Sequence, residues 1–482
     1  MSLQGSVPSR SPEKCWAQTG GLAGPPATKR CFIMKKRICE MTVEELIQPG
    51  AHSYKDCGLR YYAVGKGVVR KVPEALRLLG RKKPFVVMDH NTLEAGGRKV
   101  MAVLDEANIS YSSFVFPFNG HIEPDEMAVG SLTMAMDPTC DILLAVGSGV
   151  INDCCKVAAH AAGKPSMVVG TAPSMDGYAS NSGSMIQNRV KVSLYNACPQ
   201  AIIGDTDILK TAPDIMLKAG IGDMLAKYVA VCEWRIAAMV HGDPYDEEIA
   251  ELVRRALAKI VALSDKLLAR DDEAIAAVFD GLVLSGLSMA YAGNSRPASG
   301  LDHYFSHMWE MKSLREGTQG DLHGIQVAVG TQLALWVFEN YLTTDAIDLE
   351  KANAAMAAFS PEHWEQEVRR IFGNVAPEIL RIEAETGKND PAGHQKRLDL
   401  IAANWPKIRQ AMKEELPPRS EIIALMRRLQ MPVTPRDLGL SEKDTQDALI
   451  GSRDLRDKYL VSSLMWDIGL LEDAVQHIPY DA

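Results

Sequence analysis

The stretch DILLAVGSGVINDCCKVAAHAAGKPSMVVG, residues 141–170, decides how this chain folds. An apolar run of strand length, DILLAV, meets Gly147-Ser148-Gly149, passes into a segment of helical character and returns as a second apolar run, SMVVG. Two continuous apolar runs joined through a helix describe a parallel βαβ unit, because a strand buried on both faces loses the polar alternation of a surface sheet. Working outward, runs of the same kind recur: PFVVM at 84–88, YSSFVF at 111–116 and QAIIGD at 200–205. Their spacing predicts a mostly parallel sheet between about Tyr62 and Leu209. SMIQNRVKVSLY, centred on Asn188 and Arg189, predicts a hairpin inserted beside that sheet.

After Pro213 the strand pattern stops, and segments of helical period follow at 215–240, 245–269, 272–292, 301–314, 321–342, 345–358, 362–373 and 400–415. The expected fold is therefore an α/β nucleotide-binding domain with a mostly parallel sheet, residues 41–212, followed by an all-α domain, residues 213–482. The cleft between them is the default binding site. Residues 1–40 begin in a stretch rich in Gly, Pro, Ser and charge and are expected to be a disordered tail, with Met34 or Met41 as candidate native starts. A chain of 482 residues that is 46% hydrophobic has ample material for two cores. Its net charge of −9 argues against a nucleic-acid surface and for a small-molecule partner. The nine cysteines, Cys154 and Cys155 among them, form no CxxC pair, so reduced thiols in a cytoplasmic protein are expected and none is given a catalytic role. No run of about twenty apolar residues is read as a bilayer span, so no membrane insertion is expected. A homodimer is the expected assembly, as the commonest symmetric one.

Chemistry concentrates in the second half. DHYFSH places His303 and His307 four positions apart on one helical face, LHG adds His323, and GIGD adds Asp223. Two imidazoles and a carboxylate make a three-ligand set with an open position for a substrate oxygen, suited to Zn, Ni or Fe. The rival reading is a set of helical-core histidines. In the first half, Gly147, Ser148 and Gly149 open a helix whose free N–H groups suit a pyrophosphate, or they simply form a strand-to-helix turn. Asp89, at the end of PFVVMD, is a candidate for a ribose diol or an ordinary turn aspartate. The polar loop TAPSMDGYAS, 171–180, follows a parallel strand, where function concentrates. Its hydroxyls suit phosphate or nicotinamide groups, Asp176 suits a substrate hydroxyl, and the predicted hairpin is expected to flank the cofactor.

In chain order, GSGVINDCCK, TAPSMDGYAS, GIGDMLAKY, DHYFSH and LHG resemble the sn-glycerol-1-phosphate dehydrogenase family, within the superfamily of iron-containing alcohol dehydrogenases, glycerol dehydrogenase and dehydroquinate synthase. The likeness covers most of the chain from about residue 41. It implies a dehydroquinate synthase-like fold and reversible reduction of dihydroxyacetone phosphate to sn-glycerol 1-phosphate with NAD or NADP and one divalent metal. By the same resemblance, Asp223, His303 and His323 match metal ligands, while Asp176, Asp223 and His307 match substrate contacts. His307 is then expected to transfer the proton, because an imidazole ordinarily titrates near neutrality, and Asp176 to orient the substrate, the two catalytic roles. Gly147, Ser148, Gly149, Val150 and Ile151, then Thr171, Ala172, Pro173 and Ser174, with Ser180 and Asp89, match dinucleotide contacts. One departure is His323-Gly324-Ile325 where relatives often carry HGE, which removes a carboxylate beside the last ligand. Lys156, Lys191 and Arg296 are read as solvated surface and not as phosphate ligands. The alternatives are a glycerol dehydrogenase-like polyol oxidoreductase, a lyase of the dehydroquinate synthase type and a non-catalytic nucleotide-binding protein.

Overall fold

A computed structural model describes residues 36–481 except 118, 119, 121, 189 and 196. The expected tail, Met34 and Arg189 lie outside the described residues, apart from 36–40. There Ile38–Glu40 forms a short 3-10 turn with Ile38 and Cys39 buried, so packing begins slightly before residue 41.

Six parallel strands form the sheet: β1 (Tyr61–Gly65), β2 (Pro84–Met88), β3 (Ser112–Val115), β4 (Ile142–Gly147), β5 (Ser166–Gly170) and β8 (Ala201–Asp205), in the order β1-β8-β5-β4-β2-β3. β2, β4, β5 and β8 are buried along their whole length. Their side chains divide by the strand period of two. Val87, Leu143, Ala145, Val168 and Ile202 join one apolar cluster, whereas Val86, Leu144, Val146, Val169 and Ile203 join another with Val72, Leu76, Val100 and Leu104. Helices cover both faces, as an all-parallel sheet requires. The βαβ reading of 141–170 corresponds to β4, helix α1 (Gly149–Ala161) and β5 in parallel register. β6 (Ser182–Gln187) and β7 (Val190–Tyr195) form the separate antiparallel hairpin. β1 lies outside the expected strands and pairs, among the described residues, with β8 alone, far along the chain.

From Asp214 onward the described residues hold helices and no strand. The site is carried by α2 (Asp214–Leu225), α3 (Lys227–Val240), α4 (Asp272–Ala292), α5 (Leu301–Glu316) and α6 (His323–Tyr341). α4 corrects one expectation: at 21 residues with a mean hydropathy of 1.6, it is long and apolar enough to cross a membrane. It is instead a core helix, mostly buried, with Phe279 lying against Gly170 of β5 and Gly204 of β8. Arg37–Ala482 forms a single compact unit, so the sheet and the helices share one body.

Candidate active site

Three helices bring the candidate ligands together, and glycine sets how closely they approach. A Cβ on Gly222 of α2 would lie 2.1 Å from the Gly324 carbonyl oxygen of α6, and one on Gly324 would lie 1.9 Å from that of Ala219. On the other flank of α6, a Cβ on Gly330 would lie 2.4 Å from the Asp302 carbonyl oxygen of α5. Only backbone without side chains permits such contacts. Asp223, His303 and His323 consequently each offer a ligand atom, all within 4.8 Å of one another. His303 Nε2 lies 3.4 Å from Asp223 Oδ1, and the His303 and His323 rings are 5.2 Å apart. Two imidazoles and a carboxylate at this separation fit a divalent cation of the zinc, nickel or iron type.

The surrounding charges hold this set in form. Asp302 Oδ1 meets His303 Nδ1, leaving Nε2 for the centre. Lys227, one helical turn beyond Asp223, is a buried ammonium that donates to Asp223 Oδ1 at 3.1 Å, Asp176 Oδ2 at 2.9 Å and the Ala298 carbonyl at 3.0 Å. Burial alone would raise the Asp223 pKa, but Lys227 and the two histidines hold it well below the carboxylate range. Burial likewise opposes the charge on Lys227, and the two aspartates keep its pKa above the ordinary lysine value. Burial opposes protonation of His303 as well, yet its bonds to Asp223 and Asp302 raise its pKa.

Asp176 lies beside this centre: its backbone N–H donates to Asp223 Oδ2 at 2.9 Å, and its Oδ2 accepts from Ser285 at 2.7 Å. His307 is one turn past His303, its ring 5.8 Å from that of His323. The expectation that His307 titrates near neutrality is corrected, because burial, with Lys191 and Arg456 nearby, pushes its pKa well below the usual histidine value. Glu310, also on α5, is the carboxylate that meets His323 and His307. Its Oε1 lies 3.2 Å from His323 Nδ1 and its Oε2 3.3 Å from His307 Nδ1.

On the sheet side, β2 continues to β3 on one side while β4 continues to β5 on the other, so the chain reverses direction between β2 and β4. Parallel sheets bind nucleotides at the carboxyl ends of such strands. Gly147, Ser148, Gly149, Val150 and Ile151 run from the end of β4 into the first turn of α1, whose N-cap Ser148 makes no side-chain cap. Among the described residues no side chain caps these first-turn N–H groups. Thr171, Ala172, Pro173 and Ser174 follow β5, with Ser174 Oγ 3.4 Å from Ser148 Oγ. Two other candidates are engaged locally. Asp89 caps its own turn by accepting from the Thr92 N–H at 2.7 Å, and Ser180 Oγ donates to Ser182 O at 2.8 Å and accepts from Lys156 at 3.2 Å.

The reading of three cations as solvated surface is corrected for two of them. Lys156 is 1% and Arg296 5% exposed; they are tied to Asp153 and Asp243, respectively. Lys191 of β7 pairs with Glu310, which brings the hairpin to the histidines. Sequence reasoning misses Lys227, Asp302 and Glu310, although Lys227 lies within GIGDMLAKY, Asp302 opens DHYFSH and Glu310 follows it closely.

Comparison with known proteins adds independent findings. The family model for iron-containing alcohol dehydrogenase matches residues 63–213. The chain is 32% identical over 279 residues to a glycerol-1-phosphate dehydrogenase [NAD(P)+] of Halalkalibacterium halodurans, covering 58% of this chain and 70% of the relative. It is 30% identical over 371 residues to a protein of the same name from Geobacillus stearothermophilus, covering 71% and 92%. Among solved structures, glycerol dehydrogenase from Schizosaccharomyces pombe superposes with a TM-score of 0.58 at 17% identity over 87% of this chain and 89% of that one, a likeness of fold.

Proposed function

The chain belongs to the glycerol-1-phosphate dehydrogenase family, and from that premise we propose that it reversibly reduces dihydroxyacetone phosphate to sn-glycerol 1-phosphate with NADH or NADPH. The observation that carries this reading is the grouping of Asp223, His303 and His323 within 4.8 Å, with Asp176 hydrogen-bonded to Asp223 and His307 one turn away. When bound, a divalent ion supplies Lewis-acid polarisation of the ketone oxygen, and the nicotinamide supplies hydride to the carbon.

The chain's own residues do the rest. Asp176 has its Oδ2 held by Lys227 and Ser285, which leaves Oδ1 to orient a substrate hydroxyl and so select the ketone face. His307 has Nδ1 turned to Glu310, which leaves Nε2 for substrate. Held neutral by burial, that nitrogen accepts the alcohol proton during oxidation. During reduction it relays a solvent proton to the nascent alcohol, through a side chain that remains 17% exposed. The uncapped first turn of α1 supplies N–H groups for the dinucleotide phosphates.

The test is turnover of metal-analysed protein with NADH and NADPH on dihydroxyacetone phosphate and on dihydroxyacetone, with the product resolved by enantiomer. Consumption of the phosphate ester with sn-glycerol 1-phosphate as product is expected. Preference for the unphosphorylated ketone would make the protein a polyol dehydrogenase. His307→Ala is expected to retain metal and lose about 10²–10⁴-fold in kcat, whereas His303→Ala and Asp223→Asn lose metal.

A further inference from the structure

Each candidate ligand histidine has a carboxylate behind it, but the two carboxylates differ in reach. Asp302 serves His303 alone. Glu310 stands between two rings and gives one oxygen to each, Oε1 to His323 Nδ1 and Oε2 to His307 Nδ1. It is held by the Lys191 ammonium on β7, which meets Oε2, and it is the only carboxylate within hydrogen-bond reach of either ring's Nδ1 among the described residues. An ionised carboxylate only accepts hydrogen bonds, so a ring facing it carries its proton on Nδ1 and, while neutral, presents a lone pair at Nε2; at His323 the Ser306 hydroxyl lies 3.1 Å from the same Nδ1. On the ligand assignment above, the Nε2 of His323 serves the metal and that of His307 the substrate.

We propose that Glu310 is a positioning residue that sets the tautomer and the orientation of a metal ligand, His323, and of the proton-transferring His307 together, with Lys191 of the hairpin holding it in place. It takes over the work of the carboxylate that His323-Gly324-Ile325 lacks, from a different helix. The same geometry couples the two functions: a shift of Glu310 moves both imidazoles. His307, Glu310 and His323 also have ligand atoms within 4.8 Å of one another, but the Lys191 ammonium already lies on that carboxylate and disfavours a second cation there.

The inference rests on the ligand assignment above, and its readout, zinc affinity, does not depend on which ketone is reduced. Glu310→Gln keeps the shape but offers one acceptor oxygen in place of two, so one ring loses its carboxylate bond and, if that ring is His323, falls back on the Ser306 hydroxyl 3.1 Å from its Nδ1. Zinc competition against a chromophoric chelator is expected to show binding 10–100-fold weaker, still one zinc per chain at saturation. At saturating zinc, kcat is expected to fall while the KM for the reduced nicotinamide cofactor stays unchanged, and Glu310→Asp is expected to recover part of the affinity. Glu310→Ala is read in the same way and stands in if the Gln variant does not fold. Wild-type zinc affinity in these variants would overturn the proposal. So would complete loss of zinc from Glu310→Gln with retention by Asp223→Asn, which would make Glu310 itself a ligand.

Discussion

Cys57 carries a thiol with an unusual setting among the described cysteines: a hydrogen bond from Cys198 outweighs burial and brings its pKa down to about 7. Burial instead pushes Cys154, Cys155 and Cys232 upward. The thiolate is the reactive form, so a lower pKa means more of it at a given pH. Alkylation of native protein by iodoacetamide, followed by mass spectrometry, should label Cys57 at a rate that rises through about pH 7 and then levels. Cys198→Ala should move that midpoint upward, and Cys154, Cys155 and Cys232 should stay unlabelled. A midpoint unmoved by the Ala variant would refute the role of Cys198. At this scale the sequence was legible where chemistry follows from spacing, as for His303 and His307. It was opaque where a charge draws its meaning from a distant partner. Lys227 reads as one basic residue in an apolar helix until Asp176, 51 positions earlier, is seen on its ammonium. Asp89 reads equally as a ribose contact or a turn aspartate, and only the structure shows its Oδ1 capping Thr92.

Helices α2, α5 and α6 are joined by glycine contacts, which makes their spacing a condition for the site. Gly324→Ala would drive a Cβ to 1.9 Å from the Ala219 carbonyl and force α6 away from α2. The expected cost is about 1–3 kcal/mol in denaturant unfolding, with weaker metal binding because Asp223 and His323 separate. Gly130→Ala, in a helix where nothing lies within 4 Å of the added carbon, is the control and should leave metal binding unchanged. Equal behaviour of the two variants would show that the close approach is not required. Elements with a strong local rhythm were legible: the runs at 84–88, 111–116, 141–146, 166–170 and 200–205 all fall on strands. Tyr61–Gly65 was not, because its partner Ala201–Asp205 lies far along the chain. The helix expected at 400–415 begins at Pro391, capped by Asp390; a proline at the first helical position marks a start, and Pro406 within the helix obscured it.

Across the molecule, ligands drawn from three helices tie binding to global stability. Only the native arrangement gathers Asp223, His303 and His323, so zinc at a hundredfold excess over its Kd should add about 2.7 kcal/mol. For a chain of this length that corresponds to roughly 3 °C in melting temperature. Differential scanning fluorimetry with and without a chelator should show the shift in wild type and not in Asp223→Asn. The class of fold, α/β then helical, was legible from the change of period at Pro213. The union of the two halves was not, because it depends on the fit of single side chains. The ring of Phe279 on α4 occupies the space that side chains at Gly170 and Gly204 would fill on β5 and β8, so one helix of the second half forms the floor of the first. Recombination between relatives at residue 212 therefore exchanges a core along with a set of loops. A chimera joining this sheet to another protein's helices inherits either a gap at two glycines or a collision, unless the residue facing them is carried across as well.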